Sequence, residues 1–302
     1  MRDPDSLYTV NEDVAAEIGD APVMVQLVRG FIDAGAAGQI AAEHLAERFD
    51  ARRLVTFDID ELLDYRSRRP MMTFDRSTWN EYDEPVLAID LVHDADGAPF
   101  LLLHGVEPDI RWEAWVAAVR RIVERFGVRL VVGVHGIPMG VPHTRPIGVT
   151  AHATRPDLIA EHPAWFGTVR VPASASALLE HRLGRWGHDA MGFAVHVPHY
   201  LAQSTYPQAA MTALGQVEKS TGLDLASGAL EAAAREAAAE IERQMAGSPE
   251  VAAVVHALEK QYDDAVRQID GPALSDEDLP TADELGAEFE RFLAQQEDGG
   301  AG

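Results

Sequence analysis

Histidines clustered after apolar runs are the side chains of this 302-residue sequence best suited by type to do chemistry. The run at residues 128–134 leads into His135-Gly136-Ile137-Pro138-Met139-Gly140-Val141-Pro142-His143-Thr144-Arg145-Pro146, read as a loop. Imidazoles titrate near neutrality and act as acids, bases or metal ligands, while a guanidinium binds anions. A second set, His196-Val197-Pro198-His199-Tyr200, closes another apolar run. The turn at residues 30–38 carries Asp33 between a first strand and a helix start, a place where α/β proteins hold anions. These readings define a candidate pocket of Asp33, His135, His143, Arg145 and His199.

Several chemistries are excluded by what is missing. The turn at 30–38 is neither GxGxxG nor a Walker loop, and Asp33 repels a phosphate placed there. No HExxH or comparable spacing occurs, so no metal is expected, and no G-x-S-x-G elbow marks a nucleophile. The chain has no cysteine, which removes disulfides, thiolate nucleophiles and cysteine metal sites. No carboxylate is paired by spacing with the histidines, so no catalytic set and no cofactor are expected. With 25 Lys and Arg against 49 Asp and Glu, the net charge of −24 disfavours duplex nucleic acid and anionic membranes. No apolar run reaches the roughly 18 residues of a membrane span, and the N-terminus lacks a signal-type apolar stretch. The cytoplasm is the expected compartment. Trp79 and Tyr82 suit an aromatic cleft or interface, whereas Trp112 and Trp115 fall at helical spacing and read as core.

The elements that must position these residues follow from periodicity. Residues 22–30 read as a buried strand, followed by a helix to about Phe49 with Asp33 as N-cap, and then a strand at 53–59. A strand–helix–strand unit favours parallel pairing. Residues 65–83, rich in Arg, Met and aromatics, read as a hairpin-like excursion. Two apolar strands at 85–93 and 99–105 flank Asp94-Ala95-Asp96-Gly97, a hairpin signal, so this pair is expected to be antiparallel. Asp109 is read as the cap of a helix ending at Gly127, and 128–134 as a strand buried on both faces. Further strands are expected at 148–154, 168–171 and 191–197, with a helix from Ser174 or Ser176 to about Trp186. From Tyr206 the chain reads as helical. Gly247-Ser248-Pro249 is a stop-and-restart signal with Ser248 as N-cap. The stripe Val251, Val254, Val255, Leu258, Tyr262, Val266 and Ile269 then needs a surface to bury it. The expected fold is α/β with a mixed, mostly parallel sheet and a C-terminal helical hairpin. The expected organisation is an N-terminal extension at 1–21, a core domain at 22–222, the hairpin at 223–270 and an acidic tail at 271–302. That tail holds one short helix, 283–292, and is otherwise expected to be disordered.

Taken together, Gly30-Phe31-Ile32-Asp33-Ala34-Gly35, Gly136-Ile137-Pro138, His143-Thr144-Arg145-Pro146, Val197-Pro198-His199-Tyr200 and Tyr206-Pro207-Gln208-Ala209-Ala210 resemble the proteasome assembly chaperone family. The likeness is to the group named for its second chaperone, in its actinobacterial branch, and runs from about Val23 to Gly247. It implies a three-layer sandwich similar to the phosphorylase/hydrolase-like fold, a homo-oligomer (taken as a trimer) and protein partners related to the proteasome. Many proteasome-docking proteins end in a hydrophobic–Tyr–any-residue tail, which Glu297-Asp298-Gly299-Gly300-Ala301-Gly302 does not match. Some relatives carry an ATP-dependent ligase label. Only Lys219 and Lys260 are present and no Gly-rich loop accompanies them, so nucleotide chemistry is not expected. The functional expectation is a non-enzymatic, chaperone-like oligomeric scaffold. The alternative is a small-molecule enzyme of nucleoside phosphorylase or hydrolase type, with its site at the strand C-terminal ends.

Overall fold

The structure is a computed structural model that describes residues 3–19, 21–163, 167–247 and 249–269. Alternation of apolar side chains places a mixed sheet between two helical layers. The strands are β1 (Tyr8–Val10), β2 (Val23–Arg29), β3 (Arg52–Phe57), β4 (Met72–Asp75), β5 (Thr78–Tyr82), β6 (Leu87–His93), β7 (Pro99–Val106), β8 (Leu130–Met139), β9 (Val149–Ala153) and β10 (Asp189–Pro198). The helices are α1 (Glu12–Glu17), α2 (Ala37–Arg48), α3 (Trp112–Arg125), α4 (Ala175–Arg185), α5 (Pro207–Thr221), α6 (Glu231–Ala246) and α7 (Pro249–Ile269). Eight strands form one sheet in the order β1-β3-β6-β7-β2-β8-β10-β9, and β4 and β5 pair separately.

Successive side chains of a strand face opposite sides of its sheet. Met24, Leu101, Val131 and Ala190 accordingly meet Trp115, Val119, Leu179 and Leu183 of α3 and α4. Their neighbours Val25, Leu102, Val132 and Phe193 meet Ala41 and Leu45 of α2 and Ala210 and Leu214 of α5. β10 is buried along nearly its whole length, as a strand covered on both faces must be. Residues 3–19 add β1 to the sheet edge and bury Leu7 and Val14.

Four expectations need correction. The sheet is mixed but not mostly parallel, since four of its seven neighbouring pairs are antiparallel. β2 and β3 share a direction without touching, because the β6–β7 hairpin lies between them. β8 does not stop at Val134 but continues through His135-Gly136-Ile137-Pro138 to Met139, paired with β10 throughout. No strand forms at residues 168–171. Helix caps also differ. Asp109 is spent on Arg68 and on the Asp64 amide, and α3 starts at Arg111 in a left-handed conformation without a side-chain cap. Ser174 does cap α4, accepting the Ala177 amide at 3.0 Å. The Ser248 cap, the 283–292 helix and the acidic tail lie outside the described residues.

Trp115 carries the α3 layer. It is fully buried, 6.4 Å from the Phe57 ring, and its indole N–H finds no acceptor among the described residues. Trp115→Ala is expected to cost about 3–5 kcal/mol by urea unfolding, the range for deleting a large buried aromatic. Trp115→Phe, which also removes the unsatisfied donor, is expected to cost much less.

Candidate functional site

The turn after β2 is built around one carboxylate. Asp33 accepts the Gly38 amide at 2.9 Å and the Gln39 amide at 3.0 Å, so it caps α2 from well before the helix begins. The residue directly before α2, Ala36, sits left-handed and caps nothing. The same carboxylate accepts the Gly136 amide of β8 at 3.0 Å. A side chain at Gly136 would collide with the Ala34 carbonyl, so only glycine lets the turn approach this strand. Gly35, at φ +67°, is clamped by Ala202 and Tyr206 through backbone hydrogen bonds of 2.9 Å each. The aspartate and glycine of the first motif, the glycine of the second and Tyr206 therefore interlock.

Of the five predicted pocket residues, Asp33 and His135 are neighbours at this junction. His135 lies on the α3/α4 face, with its ring 6.3 Å from that of His152. Burial pushes its imidazole down to about 4, and the adjacent His152 adds to the shift against Asp33 and Glu180. His143 and His199 form a second group around Tyr200. The Tyr200 hydroxyl oxygen accepts the His143 amide at 2.9 Å and lies 2.7 Å from His143 Nδ1, and the His199 ring packs edge-on against Tyr200. Tyr200 is raised by burial. Arg145 stands apart from both groups. Its Nε and Nη2 bind the two carboxylate oxygens of Asp263 at 2.8 Å each, with Glu259 at 3.2 Å. This bidentate partner on α7 occupies the guanidinium face that an anionic ligand would need. A cavity of ≈300 Å³ opens beside the turn, lined by Arg29, Phe31, Ile32, Asp33, Gln39 and Pro138 among others, and it includes only Asp33 of the five.

The segment at residues 140–146 thus serves as a seat for the helical hairpin. Thr144 donates to Glu259 at 2.6 Å, Tyr262 donates to the Pro146 carbonyl at 3.1 Å, and His143 Nε2 lies 3.6 Å from Glu242 of α6. Of the predicted α7 stripe, Val255 is buried and Val254 is 42% exposed. Val251, Val266 and Ile269 have side chains outside the described residues.

A second polar group lies on the α3/α4 face; sequence reasoning noted His196 and Ser176 singly but missed Gln26, His152 and Glu180 and the grouping itself. His152 Nδ1 lies 2.8 and 3.0 Å from the Glu180 carboxylate oxygens, Gln26 donates to the Ser176 hydroxyl, and His196 lies 2.7 Å from the Thr150 hydroxyl. His196 is likewise pushed down to about 4 by burial. The one available signal was Gly192, inside an otherwise apolar strand, where a Cβ would overlap the His152 ring. Among the described residues no cluster of three or more His, Asp or Glu side chains could hold a metal ion.

The PAC2 family model matches residues 27–245. The chain belongs to the PAC2 family. Among solved structures it is similar to a Mycobacterium tuberculosis protein of unknown function, Rv2714, at 46% identity and TM-score 0.81, over 86% of this chain and 92% of that one. A protein of unknown function from Corynebacterium glutamicum matches at 37% identity and TM-score 0.81, over 86% and 98% of the two chains. The M. tuberculosis proteasome-assembly chaperone homologue Rv2125 matches at 26% identity and TM-score 0.71, over 77% and 99%. No curated protein matches the sequence. The resemblance read from the motifs is thereby confirmed at the level of family and actinobacterial relatives.

Two measurements check the site. His135 and His196 both prefer the neutral form when folded, whereas unfolded histidine titrates near 6.5. Below that value the unfolded chain binds the extra protons, so the stability conferred by neutral burial is complete above pH 6.5 and is lost as pH falls towards 4. Urea unfolding is expected to show this decline, with a shallower slope in His196→Gln. For the hairpin seat, Arg145→Ala is expected to speed amide exchange across α7 while leaving β2, β8 and β10 protected. Unchanged exchange in α7 would show that the ion pairs do not hold the hairpin.

Proposed function

We propose that this PAC2 protein is an oligomeric, chaperone-like scaffold that holds protein partners, with partners related to the proteasome. The observation that carries the proposal is the β4–β5 arm, in which every residue is exposed. The Phe74 and Trp79 rings pack at 4.9 Å, tilted by 55°, yet remain 56% and 64% exposed, with Met71 at 70%. An apolar arm of this kind marks an association surface. At its root a cavity of ≈610 Å³ lies beyond the ends of β2 and β7, walled by Leu27, Met71, Pro85, Val86 and Val106 together with Arg29. Kinship with a protein described as a proteasome-assembly chaperone homologue supports the choice of partner class.

Self-association through the arm, as a trimer, is part of the proposal. So is the phosphorylase/hydrolase-like character of the sandwich, with which helices on both faces of a mixed sheet agree. A cytoplasmic setting fits the proposed partners; among the described residues no helix is long and apolar enough to cross a membrane.

Light scattering coupled to size exclusion tests the arm. The full chain is expected to elute at three chain masses, and Phe74→Ser with Trp79→Ser to elute at one, with unchanged circular dichroism. A monomeric wild-type chain, or an unchanged mass in the double variant, would remove the support that the arm gives. Affinity capture from native lysate, with a strain lacking the gene as control, then reads the partners. Recovery of no proteasome-related protein would contradict the assigned partner class.

A further inference from the structure

The parallel strands β2 and β8 pair only as far as Gln26 and Gly133, although β2 continues to Arg29 and β8 to Met139. The connections diverge at the same place. β2 leads through α2 to β3 on one side of the sheet, and β8 leads to β9 and β10 on the other. The strands part mid-way along β8, at Gly133, so the sheet face there is bordered by β8, β10 and β9. On the α3/α4 face, the paired Gly133 and Gly192 leave a stretch of floor without side chains. Gln26 lies over the first, 2.9 Å from where its Cβ would be, and the His152 ring lies over the second.

The ring of His152 is fixed in a defined state. Glu180 is only an acceptor when ionised, so its contacts at 2.8 and 3.0 Å place the proton on Nδ1 and leave a lone pair on Nε2. The side chain is 42% exposed, so the group communicates with solvent. Facing it at 6.3 Å is the ring of His135, which burial holds in its neutral form. Two imidazoles therefore face each other in different surroundings, one oriented by a carboxylate and the other kept neutral, a division that suits base and hydrogen-bond donor roles. The charged groups around them are Glu180 from α4 and Asp33 from the turn, both carboxylates that disfavour an anionic substrate.

We propose that His152 is the general base of a site for uncharged acyl compounds, with Glu180 as its positioning residue and His135 donating a hydrogen bond to the acyl oxygen. Water is the co-reactant. Its oxygen bonds to the acyl carbon, its proton passes to His152 Nε2, and the carbonyl electron pair moves onto the oxygen that faces His135. Collapse re-forms the carbonyl, breaks the bond to the leaving group and returns the proton from His152 to that group or to solvent. This inference does not depend on the scaffold reading, and the two can fail separately.

The test uses the full chain with p-nitrophenyl acetate from pH 5 to 9. Hydrolysis is expected to exceed that of free imidazole at the same histidine concentration. His152→Gln is expected to lower the rate about a hundredfold, the scale of a lost general base. Glu180→Gln is expected to move the midpoint of the pH–rate profile to lower pH, and Glu180→Asp to restore it in part. His188→Gln, at a surface histidine outside the group, is expected to change nothing. Thermal melts establish that each variant is folded, and the Glu180 pair keeps the test open should His152→Gln not fold. A rate no higher than free imidazole, or full activity in folded His152→Gln, overturns the assignment of His152. An unmoved midpoint in Glu180→Gln overturns the role of Glu180.

Discussion

The Asp33 carboxylate is the contact on which the arrangement of this molecule depends. It satisfies two amides that the start of α2 leaves without helical partners, and one amide of β8 beyond the point where β2 stops pairing with it. That bond ties the unpaired part of β8 to the turn that follows β2. The close approach of Ala34 to Gly136 and the clamp on Gly35 by Ala202 and Tyr206 follow from the same contact. The turn after β2, with Asp33 bonded to α2 and β8 and Gly35 bonded to Tyr206, thus ties β2, α2, β8 and the start of α5 together.

This reading changes the meaning of the family-marking motifs. Their glycines, aspartate and Tyr206 hold backbone against backbone, and Arg145 and Thr144 hold the helical hairpin. The polar groups left for chemistry lie on the opposite face, on β8, β9 and α4. The exposed arm lies elsewhere again. Structure-keeping, the proposed association and the proposed chemistry therefore use separate sets of residues, which is why variants can separate them.

Much of this was legible in the sequence where the pattern is local. The β6–β7 hairpin, the excursion that became the arm, the α3 stripe and the Ser174 cap were all readable from spacing within about twenty residues. The extension of β8 was not, because Gly136 and Pro138 read as breakers. Pro138 is tolerated because, past Gly133, β8 has a ladder partner only in β10 and behaves as an edge towards β2. The sheet order was hidden by the insertion of a hairpin between β2 and β3. Arg145–Asp263 spans 118 positions and His152–Glu180 joins a strand to a helix, so neither leaves a periodic trace. The candidate pocket gathered residues by their position at strand ends, and the structure sorts them by which face and which helix they meet.

The most direct test of this account is Asp33→Asn, read by amide hydrogen exchange and urea unfolding together. The substitution keeps the shape and one acceptor oxygen but removes the charge and the second carboxylate oxygen. The expected result is lost protection at the Gln39 amide, which would face the amide nitrogen, weakened protection at the Gly38 and Gly136 amides, which keep a neutral acceptor, and a stability loss of about 2–3 kcal/mol, the scale of hydrogen bonds to a charged acceptor. Protection and stability equal to the wild type would contradict it, because the junction would then be held by something other than this carboxylate.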